Sequence, residues 1–219
     1  MISYEVYSEE SNIISYMDFK NIKEKISSNV INKKGKEFYI RKIYFNQDIN
    51  YLNTSGKGRS NCDTYSINIR DLSLDLIMLE KKSFREGIIQ KNYTYISREQ
   101  CDLLLSGDIS WMKDDFNSIL NDLYLQMVIN EIKIGVVVDY QRELYRLNTS
   151  GNYFVFDKSI KSTYDIDGRD LLNAELEMSD RLEKNKTVMT YRQSIDLPRF
   201  ITNVLHIGNS RRSGALAAW

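Results

Sequence analysis

The chain has 219 residues, with 30 Lys and Arg balanced by 30 Asp and Glu and a single histidine. This length suits one large domain or two small ones, and the zero net charge gives no global pull toward nucleic acid or an anionic membrane. The composition, 42% hydrophobic and 27% charged, is that of a globular chain and argues against disorder.

No linker, repeat or low-complexity tract divides the chain, so residues 1–219 are read as a single domain. Ile14, Met17, Ile22 and Ile26 recur at roughly helical intervals and predict a helix within 13–31, capped by Ser15 or Asp18. Short β-like runs follow. FYIRKIYF (38–45) is rich in aromatic and β-branched residues, and TYSINIRD (64–71) alternates strictly. In the latter, Tyr65, Ile67 and Ile69 share one face and Ser66, Asn68 and Arg70 the other. LDLIMLEKKSF (74–84) places Glu80 and Lys82 on one face, Lys81 on the other, and Gly87 marks a hairpin into GIIQKNYTYIS (87–97).

Ser97 and Gln100 form a capping box for a helix that Gly107 ends, and 114–131 reads as a longer amphipathic helix. Strands resume at 133–147, 153–160 and 171–180, with a turn at 148–152 and a last, helical element from Leu197 to Ile207. The pattern is α+β, with a large antiparallel sheet, open or closed as a barrel, and flanking helices.

Several chemistries are excluded. His206 is the one histidine, so zinc sites built on several histidines are absent, and no G-x-S-x-G elbow exists for a nucleophilic serine. The sequence has no G-x-x-x-x-G-K-[ST] loop and no G-x-G-x-x-G turn. No run approaches the ~18 apolar residues of a spanning helix, and MISYEVYSEE lacks the features of a signal peptide. Cys62 and Cys101 read as free intracellular thiols, and with no spanning segment the chain is expected to be cytoplasmic, or recruited to a membrane by another protein. The sequons at Asn53 and Asn92 are then chance matches.

The informative feature is charge on strands. Glu80 with Lys82, Lys91, Asp139 with Arg142, Asp157, and Glu175 with Glu177 all fall on runs whose other face is apolar. One such pair reads as a solvent-facing side. Repetition points to a barrel whose lumen is charged, and such a lumen must neutralise itself or hold a charged ligand. Mixed cations and carboxylates suit a metal–phosphate ligand.

LEKKS (79–83), Lys91, SREQCDLLLSGDISWM (97–112), VVVDYQRELY (136–145) and VFDKSI (155–160), in that order, resemble the VTC domain, and RKIYFN (41–46) is similar to its R-x-x-Y-F-D strand. This is the polyphosphate polymerase branch of the triphosphate tunnel metalloenzymes, and the likeness runs from about residue 4 to 213. It implies an antiparallel tunnel barrel that transfers the γ-phosphoryl of ATP to polyphosphate with Mn²⁺ or Mg²⁺, often beside a membrane-protein partner. Carried over by position, it implies phosphate contacts at Arg41, Lys82, Lys91 and Arg142, metal carboxylates at Glu5, Glu80 and Glu177, and roles for Asp139 and Asp157.

The departures are as specific. Tyr7, Ser66, Asn68, Tyr153, Ser179 and Ala217 stand where the family pattern has cations. Arg70, two residues beyond Asn68, is the candidate replacement, completing a catalytic set of Lys82, Lys91, Arg142 and Arg70. Three readings follow: a tunnel domain that binds ATP, triphosphate or polyphosphate without competent catalysis; a polymerase with a rearranged clamp; and a structural or protein-interaction module.

Other residues have plainer readings. Asp139 and Arg142 are three apart and face opposite ways on a regular strand. Trp111 and Trp219 read as packing, and His206 as a capping or half-buried residue. Arg211 and Arg212 read as solvated or as contacts at a tunnel mouth.

Overall fold

A computed structural model describes residues 3–27, 35–46, 62–146 and 153–193. The expected turn at 148–152, the helix at 197–207, His206, Arg211, Arg212, Ala217 and Trp219 lie outside the described residues. In chain order the elements are β1 (Ser3–Ser15), α1 (Tyr16–Ser27), β2 (Lys36–Asn46), β3 (Cys62–Arg70), β4 (Ile77–Arg85) and β5 (Ile88–Ile96). There follow α2 (Arg98–Ser106), a short 3₁₀ turn (Ser110–Met112), α3 (Ser118–Ile129), β6 (Lys133–Arg146), β7 (Tyr153–Thr163), β8 (Ser179–Asp180) and β9 (Lys186–Gln193).

Among the described residues eight strands close on themselves in the order β6-β2-β3-β4-β5-β1-β9-β7, with β7 pairing back onto β6. Every pairing is antiparallel. Closure removes the free sheet edges that an open sheet exposes. β1 serves two neighbours: Ser3–Tyr7 pair with β5 and Ser8–Ser15 with β9.

Strict alternation decides what each strand shows to each side. Ile43, Phe45, Tyr65, Ile67, Ile69, Ile77 and Leu79 point outward and are buried under α2, the 3₁₀ turn and α3. Cys101 and Leu104 of α2, Met112, and Ile119, Leu120 and Leu123 of α3 complete that core. A second outer core holds Phe19, Ile22 and Ile26 of α1 against Tyr145, Phe154, Phe156, Met189 and Tyr191. The barrel is therefore clad by helices on its outside, and the opposite strand faces line the lumen.

Local signals explain the joints. Glu86 and Gly87 both have positive φ, 49° and 83°, which is the backbone of a tight two-residue hairpin. The Ser97–Gln100 capping box forms as expected, and Gly107 ends α2 in the left-handed conformation at φ 86°. The Ser15 hydroxyl accepts from the Asp18 backbone N–H at 3.1 Å and donates to the Asp18 carboxylate, so the two residues cap α1 together.

The structure corrects three expectations. Residues 171–180 form no long strand: only Ser179 and Asp180 pair with β7. Asp170 and Asn173 accept from the backbone N–H two residues on, closing side-chain turns that divert the chain. Leu171, Leu176 and Met178 instead pack down onto the α2–α3 core. The strand β9 (Lys186–Gln193) was not expected at all. The first helix starts later than its window, at Tyr16, because β1 continues through Ile14 to Ser15.

Candidate phosphate-binding lumen

The inward face mixes apolar and charged positions. Val136, Val138 and Tyr140 of β6, Ile160 of β7 and Val188 of β9 cluster together, with Ile13, Ile40 and Tyr44 against them. Lys42 lies among them, beside Val138 and between Ile40 and Tyr44, and the neighbouring strands β3, β4, β5 and β1 present Ser66, Asn68, Glu80, Lys82, Lys91 and Glu9.

The register brings these residues together. Lys42 lies opposite Asn68, Ser66 opposite Glu80, Thr64 opposite Lys82, and Lys82 opposite Lys91, which in turn faces Glu5. At the centre is Glu80, 4% exposed. One carboxylate oxygen accepts from the Lys42 ammonium at 3.1 Å and the other from Lys91 at 2.9 Å. Burial opposes ionisation of Glu80, yet the Lys42 and Lys91 charges overcome it and pull the carboxyl down to about 2. Burial likewise works against the Lys42 ammonium, and Glu80 more than compensates, so its pKa is raised.

Two further ion pairs extend the charged surface. Lys82 donates to Glu9 at 2.5 Å. Arg142 grips Asp157 through both Nε and Nη2, each at 2.7 Å, a bidentate fork across the β6–β7 pair. A cavity of about 270 Å³ lies beside Arg142, but most of its lining, Glu37, Tyr39, Asp71, Gln141, Glu143 and Lys158, belongs to the outer side of the wall, so it is not part of the inward face. Burial pushes the Tyr140 hydroxyl up to about 12 although Arg142 and Lys42 favour its ionisation. Tyr140 therefore stays a neutral donor. Asn68 donates to Ser66 at 3.3 Å and keeps a buried carbonyl oxygen without a partner.

The residues expected from the sequence separate into groups. Lys82, Lys91, Glu80, Arg142 and Asp157 reach the lumen, and Glu5 takes its place there by register opposite Lys91. Arg70 ends β3 on the inward register but is exposed, its guanidinium 4.3 Å over the Phe38 ring. Arg41 does not enter. It is fully buried on the outer side, bonded to both Asp139 oxygens at 2.8 and 2.7 Å and to the carbonyls of Leu171 and Asn173. Glu177 lies on the loop before β8 with its side chain 87% exposed, 3.7 Å from Arg169. Asp139 and Arg142 face opposite ways, as their spacing demands.

The set Glu5, Glu80 and Glu177 therefore does not converge. Among the described residues no three Asp, Glu, His or Cys side chains come together to hold a metal ion. Glu80 has an ammonium on each oxygen, which is a donor set for an anion-binding wall rather than for a resident divalent cation.

Lys42, Tyr44 and Glu9 were missed from sequence. For Lys42 a signal existed: in RKIYF, Arg41 shares its face with Ile43 and Phe45, so the alternate position was the polar one. Glu9 had none, because β1 changes partner at Ser8.

The model of the VTC domain matches residues 5–212. No curated protein matches the chain in sequence. Among solved structures, a Bacillus halodurans protein described as a candidate adenylate cyclase superposes with a TM-score of 0.54 at 13% identity, covering 94% of this chain and 90% of that one. That likeness shows the tunnel-type barrel fold. A candidate adenylyl cyclase from Hippeastrum, described as having a dominant triphosphatase activity, gives a TM-score of 0.48 at 11% identity, with 92% and 84% covered. Among the described residues no helix is long and apolar enough to cross a membrane.

Proposed function

The chain belongs to the VTC domain family, and from that premise we propose that its lumen binds ATP, triphosphate or polyphosphate and serves a binding or regulatory role rather than polymerase turnover. The observation that carries the reading is Glu80 held between Lys42 and Lys91 inside a closed barrel. A pair of ammoniums converging on one buried anionic group is the chemistry that grips a phosphoryl group.

The case against turnover is electrostatic. Phosphoryl transfer depends on positioning and on stabilising charge spread over the phosphate oxygens. On β3, Ser66 and Asn68 supply a hydroxyl and an amide where the family resemblance implies arginines. One lost charge-assisted contact is worth about 1.5–3 kcal/mol, and about 1.4 kcal/mol is tenfold in rate. The cations that remain are already engaged, Lys42 and Lys91 by Glu80, Lys82 by Glu9 and Arg142 by Asp157. A membrane-protein partner belongs to the same reading and rests on the family resemblance alone.

Two assays test it. Tripolyphosphate should raise the melting temperature, because a ligand that binds only the folded state stabilises it. ATP with Mn²⁺ should yield no polyphosphate. Product formation would restore the polymerase reading, and an unmoved melting temperature would leave a structural module.

A further inference from the structure

We propose that Glu80 is a built-in anion that occupies the phosphate seat of the lumen and makes the site selective for polyanions over small anions. The inference rests on the polyphosphate-binding reading above and adds how the site chooses its ligand. The two Glu80 oxygens bridge ammoniums from two different strands, Lys42 on β2 and Lys91 on β5, as two oxygens of a phosphoryl group would. This is also the deepest of the lumen pairs. Lys42 and Lys91 side chains are 16% and 22% exposed, against 34% for Lys82 and 33% for Arg142.

Ser66, directly across from Glu80, brings no third cation to relieve the competition. A tethered carboxylate is always present at high effective concentration and cannot diffuse away. Orthophosphate offers at most two charges against the one Glu80 already holds in place, and as a free ion it must also bear the association cost that the tethered carboxylate avoids. A chain of phosphates offers several charges and can engage Lys42, Lys91 and Lys82 at once, so only a polyanion displaces the carboxylate.

The test is calorimetric titration of tripolyphosphate and of orthophosphate into the full chain and its Glu80→Gln variant, in buffer stripped of divalent cations with a chelating resin. Wild type should bind tripolyphosphate and not orthophosphate. Glu80→Gln should bind tripolyphosphate about tenfold tighter or more, the weight of one charge-assisted contact, and should acquire measurable orthophosphate binding. Wild-type binding with no gain in the variant overturns the inference and leaves the polyphosphate reading standing. No binding by either protein overturns both. If circular dichroism shows that Glu80→Gln does not fold, Glu80→Asp keeps the charge but draws it back from the ammoniums. It should show a smaller gain in the same direction, and no gain overturns the inference.

Discussion

Arg41 and Lys42 are adjacent in sequence and stand on opposite sides of the barrel wall. Lys42 reaches Glu80 in the lumen, while Arg41 is sealed outside against Asp139 and the carbonyls of Leu171 and Asn173. Arg41 thus fastens the loop before β8 to the barrel, which predicts a structural role for it. Arg41→Ala leaves the Asp139 charge buried and unpaired, so it should destabilise the fold by about 3–5 kcal/mol. Urea denaturation measures the loss. Tripolyphosphate affinity of the folded protein should stay unchanged, and a specific loss of affinity would place Arg41 in the site after all.

Restoring charge on β3 should do the reverse. Ser66 and Asn68 are 2% and 7% exposed on the inward face beside Lys42 and Glu80. Asn68→Arg should raise tripolyphosphate affinity about tenfold or more and lower the melting temperature in ligand-free protein, because a buried guanidinium without its ligand is costly. A thermal scan with and without tripolyphosphate reads both effects. Equal melting points in the two conditions would contradict this.

Glu80 should also make stability acid-sensitive. Its carboxyl is pulled from 4.5 to about 2 on folding. A group whose pKa is depressed stabilises the fold fully above its unfolded value, and that contribution disappears as pH falls through the folded value. The window is therefore pH 4.5 down to 2, and the shift corresponds to about 3 kcal/mol. Urea midpoints measured across this window should fall for wild type and fall less for Glu80→Gln. Parallel curves would show that other groups control acid unfolding.

The two cysteines should differ sharply in reactivity. Cys101 is fully buried in α2, and burial, reinforced by Asp102, pushes its thiol up to about 12. Cys62 is only partly buried at the start of β3. Native protein should take one iodoacetamide label and denatured protein two, read by mass spectrometry. Rapid labelling of Cys101 in the native state would contradict the packing of α2 on the barrel.

The legible parts of this molecule are those governed by local rules. Alternation in TYSINIRD placed Ser66 and Asn68 on one face, and that face is the lumen. The Ser97–Gln100 box and Gly107 bounded α2 because capping is a short-range interaction. What escaped depended on distant partners. Residues 171–180 carry apolar residues at strand-like spacing, yet they serve as a loop pressed onto the helical core, because Asp170 and Asn173 bend the backbone. Lys186–Gln193 forms a strand through pairing with β1 and β7, far away in sequence. In the site, the family motif points to Arg41, whereas the period-two pattern of the same five residues leaves Lys42, not Arg41, on the lumen side.

The most direct test is calorimetric titration of tripolyphosphate into wild type and Lys42→Met at the same ionic strength. An ionised lumen that grips polyanions predicts one saturable site in wild type and at least about tenfold weaker binding in Lys42→Met, the loss of one charge-assisted contact. No saturable heat in wild type, or equal affinity in the two proteins, would contradict it.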